Sequence, residues 1–227
     1  MTMTLLTETE AVEVPVLPES AMTSVASFRR WARTTGAGPE KVPVGYYRGQ
    51  VWIDMSKEQL FSHNHLKTEL AYIILSLIRP DRAGFYFCNG VLLTNEEAEL
   101  SCNPDGVLVL AESVAAGRVR WVESRGEGYV EIEGSPDLVL EVVSDSSVKK
   151  DTVTLLEAYF QAGIPEYWIA DARGGQPSLR IFHRGPASYL ESAVEAASWV
   201  HSAVLGVSFR LSPLHSAGVA TATVEVR

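Results

Sequence analysis

A chain of 227 residues with 46% hydrophobic content carries apolar surface for one large core and is short for two. Its 19 basic and 28 acidic residues leave a net charge of −9, which argues against a broad basic surface for nonspecific nucleic-acid binding but leaves room for a local basic cleft. Two cysteines, Cys88 and Cys102, lie outside any CxxC pair; they exclude a disulfide-dense scaffold and a cysteine-built zinc site, and both read as buried and reduced.

The N-terminal MTMTLLTETEAVEVPV has no basic region followed by an apolar run, so no secretory signal is expected in it. No stretch reaches 18 apolar residues, so no membrane-spanning helix is expected and the cytoplasm is the expected compartment. Residues 1–21 show no periodicity and read as a flexible tail; residues 22–227 read as a single domain. Thr23 is a candidate cap for a short helix through Trp31, with Val25, Phe28 and Trp31 on one face. Residues 34–43 read as loop. Tyr46 to Met55 reads as a strand or tight hairpin with Gly49 at the bend. The clearest helix is SHNHLKTELAYIILSLIRP, where Leu66, Leu70, Ile73 and Leu77 form a stripe and Pro80 marks the stop.

Short strands are expected at 85–88, 90–93 and 104–110, with the acidic loop NEEAELSCN between the last two. Segments 119–124 and 129–134 pair as a hairpin around Arg125 to Gly128. The near-continuous Val and Leu of PDLVLEVVS, residues 136–144, predict a buried central strand. A turn with Ser146 or Ser147 as N-cap then feeds a helix whose core stripe is Val148, Leu155, Leu156, Tyr159 and Phe160, ended by Gly163. EYWIAD, residues 166–171, completes a strand–helix–strand crossover. A further strand follows at 179–185, with weaker ones near 197–205 and 207–211. The fold class expected is α/β, with a mixed sheet and flanking helices.

Two carboxylates stand inside apolar strands, Asp105 in PDGVLVL and Glu141 in LVLEVVS, where an acid is costly unless paired or metal-bound. On neighbouring strands they would suit a hard divalent ion, Mg²⁺ or Mn²⁺, with the Val142 carbonyl as a third oxygen. Asp137 shares the parity of Glu141 but reads as a strand-end cap. Lys149 and Lys150 open the following helix, where a cation opposes the helix dipole unless it has a partner such as the carboxylates. His63 and His65, two apart, do not share a helical face, so zinc is not expected; His63 is a candidate for reaching a phosphate or carboxylate.

These segments resemble the Uma2 family of restriction-endonuclease-like proteins, within the PD-(D/E)XK nuclease superfamily. The resemblance spans roughly residues 22–190 and is most specific in GSPDLVLEVVSDSSVKKDTVTLLEAYFQAGIPEYWIADAR, supported by NPDGVLVL and by GQVWIDMS followed by SHNHLKTEL. It implies a restriction-endonuclease-like core with a mixed, curved sheet, Mg²⁺-dependent hydrolysis of DNA phosphodiester bonds, and a homodimer. Asp105 matches the acid of the first site strand, Glu141 the (D/E) of the motif, and His63 a histidine at the head of the first long helix. Tyr159 and the EYW at 166–168 match a helix–strand signature and are expected to pack. Three positions depart. The usual lysine, two after Glu141, is Val143; the family's alternative lysine, four before the tyrosine, is Leu155; a glutamate often present in the early strand is Gly45. Lys150 is therefore the expected phosphate-stabilising residue, with Lys149 behind it. The alternatives are a catalytically silent binding or assembly module, favoured by the net charge and the absent lysines, and a metal-dependent hydrolase of a small phosphate ester. The apolar segments from 197 onward suit either a dimer interface or closure of the core.

Overall fold

The computed structural model describes residues 17–34, 43–54, 58–89, 91–124, 126 and 128–227. Most of the expected tail (1–16), most of the expected loop (35–42) and the turn residues Arg125 and Glu127 lie outside these.

Helix α1 (Val25–Thr34) begins one residue later than Thr23 would cap it. Ser24 Oγ accepts the Ser27 amide at 3.2 Å, while the Thr23 hydroxyl donates back to the Ser20 carbonyl. Phe28, Val25 and Trp31 are buried as their spacing requires. Strands β1 (Val44–Tyr47) and β2 (Gln50–Ile53) form a hairpin. Its two turn residues, Arg48 and Gly49, both have positive φ, 46° and 81°, which matches the right-handed twist of the strands.

A π-helical turn, Leu60–Asn64, leads into α2 (His65–Ile78). The fully buried stripe of α2 is Leu66, Leu70, Ile74 and Ile78; the expected Ile73 and Leu77 lie beside it, partly buried. Next come β3 (Gly84–Cys88), β4 (Leu92–Asn95), β5 (Leu100–Cys102) and β6 (Gly106–Leu110). The acidic residues of segment 95–103 lie in the four-residue turn 96–99 as expected of a loop, but Leu100–Cys102 form a strand that makes it a tight β4–β5 hairpin, because Leu100 and Cys102 bury their side chains and Ser101 pairs with Thr94 at 2.9 Å. Cys88 is exposed, against expectation, at the end of β3; Cys102 is buried, and both are free thiols.

A short α3 (Ala111–Ala115), not foreseen, precedes the hairpin β7 (Val119–Ser124) and β8 (Gly128–Gly134). Strand β9 (Leu138–Val142) is buried along its whole length. A second π-helical turn, Lys150–Thr154, runs into α4 (Leu155–Gln161). Ser147 stands just before the first helical residue, but its oxygen accepts the Ser144 amide and its hydroxyl donates to Asp151. Val148 is 38% exposed rather than core. Gly163, at φ 75°, ends α4 with the paired bonds of a Schellman motif, Gly163 to Phe160 and Ile164 to Tyr159. The chain closes with β10 (Glu166–Asp171), β11 (Ser178–Arg184), β12 (Tyr189–Glu191), β13 (Val200–Ser202), β14 (Val207–Ser216) and β15 (Val219–Val226).

The result is a mixed α/β fold of curved sheets flanked by helices. One six-stranded sheet runs β12-β11-β10-β9-β6-β3 and a second β2-β1-β5-β4-β8-β7. In the first, β9 and β10 are parallel, joined through α4, and β6 runs antiparallel to β9. Alternation sets two faces. Val107, Val109 and Val139 pack with Leu155, Ala158 and Tyr159 of α4; Leu108, Leu138 and Leu140 pack with α2 and the C-terminal strands. Strands β13–β15 form a three-stranded sheet over that second face, with Phe209 edge-on to Trp168 at 4.6 Å. The C-terminal segments therefore close the core.

Candidate active site

Gly106 pairs with Leu140 across β6 and β9, so Asp105 and Glu141 fall one step further along the same ladder. Both belong to the parity of Val107 and Val139, the face toward α4. Neighbouring antiparallel strands thus bring the two carboxylates to one side of the sheet, at the mouth of a cleft of about 290 Å³. Asp105 Oδ2 accepts the Val142 amide at 2.7 Å, which pins the first acid to the strand that carries the second.

Glu141 is only 2% exposed. Its Oε1 accepts the Tyr159 hydroxyl at 2.6 Å, and its Oε2 lies 3.8 Å from Lys150 Nζ. Burial pushes the Glu141 carboxyl well above its ordinary range; the Lys150 ammonium opposes this, and the charges of Asp105 and Asp151 add to it. Lys150 also meets Asp151 Oδ1 at 3.2 Å. Burial works against its charge, but Glu141 and Asp151 outweigh that and hold the ammonium above the usual lysine range. Asp151 itself is pushed by burial up to about 6.

On the opposite wall, α2 and the turn before it supply His63 and Lys67, four residues apart on one helical face. His63 Nε2 is 3.6 Å from Asp105 Oδ2, and its Nδ1 is 3.2 Å from Glu58 Oε1. Lys67 Nζ donates to Asn89 Oδ1 at 2.9 Å and to Asp105 Oδ1 at 3.4 Å, and pairs closely with Glu58. Burial would raise the Glu58 carboxyl, but the Lys67 ammonium and the His63 ring hold it below the ordinary range.

Of the residues expected from sequence, Asp105, Glu141, Val142, Lys150 and His63 line one cleft. Lys149 is exposed and does not. Asp137 stays out, as its strand-end reading required: it accepts from the Leu110 amide, the Ser113 hydroxyl and Arg118, and so fastens α3. Tyr159, expected only to pack, also holds Glu141. Lys67 and Glu58 were not foreseen; the one signal was the four-residue spacing of His63 and Lys67. The departures have a packing basis. Val143, just past β9, and Leu155, the first residue of α4, are both buried in the core between the sheet and that helix. A side-chain carbon at Gly45 would lie 2.1 Å from the Trp52 ring, so the indole fills the space that a longer side chain would need.

Among the described residues, no group of three or more His, Cys, Asp or Glu side chains is placed to hold a metal ion. Two carboxylates and a backbone carbonyl nevertheless fit Mg²⁺ in kind, since that ion takes hard oxygens and usually keeps several of its waters. The observation that favours the fit is Glu141, a buried carboxylate facing the cleft whose nearest cation stands 3.8 Å away.

Compared with known proteins, the chain matches the Uma2 family model, described as "putative restriction endonuclease", over residues 25–214. A crystal structure of a "putative nuclease belonging to DUF820" from Anabaena variabilis ATCC 29413 superposes with a TM-score of 0.58 at 15% identity, covering 81% of this chain and 90% of that one. That likeness concerns the fold. No curated protein sequence matches the chain.

Proposed function

The chain belongs to the Uma2 family, and from that membership we propose that it is a Mg²⁺-dependent endonuclease that hydrolyses DNA phosphodiester bonds in the cleft between the start of α2 and the π-helical turn before α4. The observation that carries this reading is the placement of Asp105 and Glu141 on one face of adjacent strands, at a cleft flanked by lysines. Asp105, Glu141 and the Val142 carbonyl would hold the ion, with Mn²⁺ as a substitute. When bound, it polarises a phosphate oxygen and lowers the pKa of an attacking water. Val142 N–H fixes the Asp105 carboxylate, with His63 standing 3.6 Å from it, and the Tyr159 hydroxyl fixes that of Glu141. Lys150 keeps positive charge beside Glu141, where it offsets negative charge developing on the phosphate.

The test is plasmid cleavage with Mg²⁺ or Mn²⁺, alongside calorimetric titration of the metal. Asp105→Asn and Glu141→Gln are each expected to lose metal binding and cleavage with the fold retained. Cleavage unchanged in both would move the chemistry elsewhere. A second reading, the catalytically silent module, draws on Val143 and Leu155 being apolar and buried, and predicts no cleavage by the parent protein with any metal. The third, hydrolysis of a small phosphate ester, draws on four acids, Asp54, Glu58, Asp105 and Glu141, lining the same cleft, which is no broad basic groove. Turnover of p-nitrophenyl phosphate without cleavage of plasmid would select it.

A further inference from the structure

We propose that His63 and Lys67 form a subsite for a substrate phosphate on the Asp105 side of the cleft, with the Glu58 carboxylate occupying it in the absence of substrate. The proposal rests on the nuclease reading and deepens it by naming a second cation for the nucleic-acid backbone. Lysines normally carry the ammonium out to water on an apolar stem. Lys67 does the reverse: its side chain is 7% exposed and its ammonium lies inside the cleft. All of its partners, Glu58, Asn89 and Asp105, are cleft groups, so the charge is spent on the site rather than on packing.

The geometry also says which partner is exchangeable. Lys150 is committed to Glu141 and Asp151, whose side chains are 2% and 1% exposed. Neither can leave Lys150 without stranding a buried charge. Glu58 differs, because its side chain is 40% exposed and can swing into water at little cost. His63 Nδ1 and Lys67 Nζ, one helical turn apart, both grip the same Glu58 oxygen. Two such donors on one anionic oxygen form a site for a phosphate oxygen as readily as for a carboxylate, and lysine binds phosphate as a point charge.

The experiment uses the full chain with Ca²⁺ in place of Mg²⁺ for binding, a short fluorescein-labelled duplex as probe, and Mg²⁺ for single-turnover cleavage. Lys67→Met is expected to lower the slope of log affinity against log salt by about 0.9, the share of one phosphate contact. Its cleavage rate should fall roughly 10²-fold, as for loss of one charge-stabilising donor. Glu58→Gln removes the resident anion, so the duplex should bind more tightly, a result that a purely structural Lys67–Glu58 pair does not give. This second variant also decides the matter if Lys67→Met fails to fold. A parent protein that cuts DNA, with unchanged salt slope and rate in Lys67→Met or with looser binding in Glu58→Gln, overturns the subsite alone. A parent that neither binds nor cuts DNA overturns the nuclease reading and the subsite with it.

Discussion

Lys150 is the residue whose role turns most on its surroundings. Its ammonium lies 3.8 Å from Glu141 and 3.2 Å from Asp151, and both carboxylates are buried. Replacing it with methionine leaves two buried acids without a cation, which at pH 8 should cost about 3–5 kcal/mol of stability. The penalty is pH-dependent, and its sign follows from the direction of the shifts. Burial raises the Glu141 and Asp151 carboxyls, the latter from 3.8 to about 6, above their unfolded values. Between the unfolded and the raised values the folded chain binds more protons than the unfolded one, so stability falls as pH rises through that window. Without Lys150 both carboxyls titrate higher still, and Lys150→Met should regain stability relative to the parent as pH drops from 8 to 6. Urea unfolding at the two pH values measures this; an equal deficit at both would contradict it. Lys149→Met, at an exposed position, should stay within about 0.5 kcal/mol of the parent at either pH. Asp105 and Glu141 were legible in the sequence because an acid inside a run of valines and leucines needs a reason. Lys67 was not, because a lysine within an amphipathic helix reads as solvent-facing, and only the folded position of Glu58 and Asn89 turns it inward.

At the scale of elements, one feature shapes the candidate site and another closes the core behind it. Both helices that flank the cleft open with a π-helical turn, Leu60–Asn64 before α2 and Lys150–Thr154 before α4, and each turn carries a cleft residue, His63 or Lys150. The wider turn shifts the phase of the residues ahead of the regular helix. The same shift is invisible to a periodicity of 3.6, so the sequence pattern placed these helices but not their first turns. The other feature is the C-terminal sheet. Glu166 at the start of β10 accepts from Trp168 Nε1 at 2.8 Å, from Ser202 Oγ at 2.6 Å and from the Ala203 amide at 2.7 Å, tying the central sheet to the turn after β13. Phe209 is fully buried against Trp168. Phe209→Ala should therefore cost about 3–5 kcal/mol, read as a lowered urea midpoint, while a loss under 1 kcal/mol would mean that β14 is peripheral to the fold. Strand β10 was read with its observed bounds because its apolar run has clear ends. Strands β12 and β15 escaped for different reasons: β12 is three residues long, and the alternation in β15 of Ala220, Ala222, Val224 and Val226 with Thr221, Thr223 and Glu225 begins with small side chains of little apolar contrast.

At the scale of the whole molecule, a net charge of −9 and a cleft lined by four acids against two lysines and a histidine mean that, on the proposed nuclease reading, DNA would be held by few cations. Binding is then expected to depend only shallowly on salt and to stay modest in affinity. One cleft per chain also poses a geometric problem, since a duplex has two strands of opposite polarity. Two-fold pairing of chains solves it by presenting one cleft to each strand. The C-terminal strands, one candidate interface, bury one face in closing the core over α2, which leaves only their outer face and edges for a dimer. The homodimer expectation then separates into two measurable consequences. Light scattering at working concentration should give a mass of about twice 24.8 kDa. Cleavage of supercoiled plasmid at protein excess should pass directly to linear DNA, because both clefts act in one binding event. A mass near 24.8 kDa with nicked circles accumulating before linear product would mean that each chain cuts one strand by itself, and the two-fold arrangement would be discarded while the cleft chemistry stood.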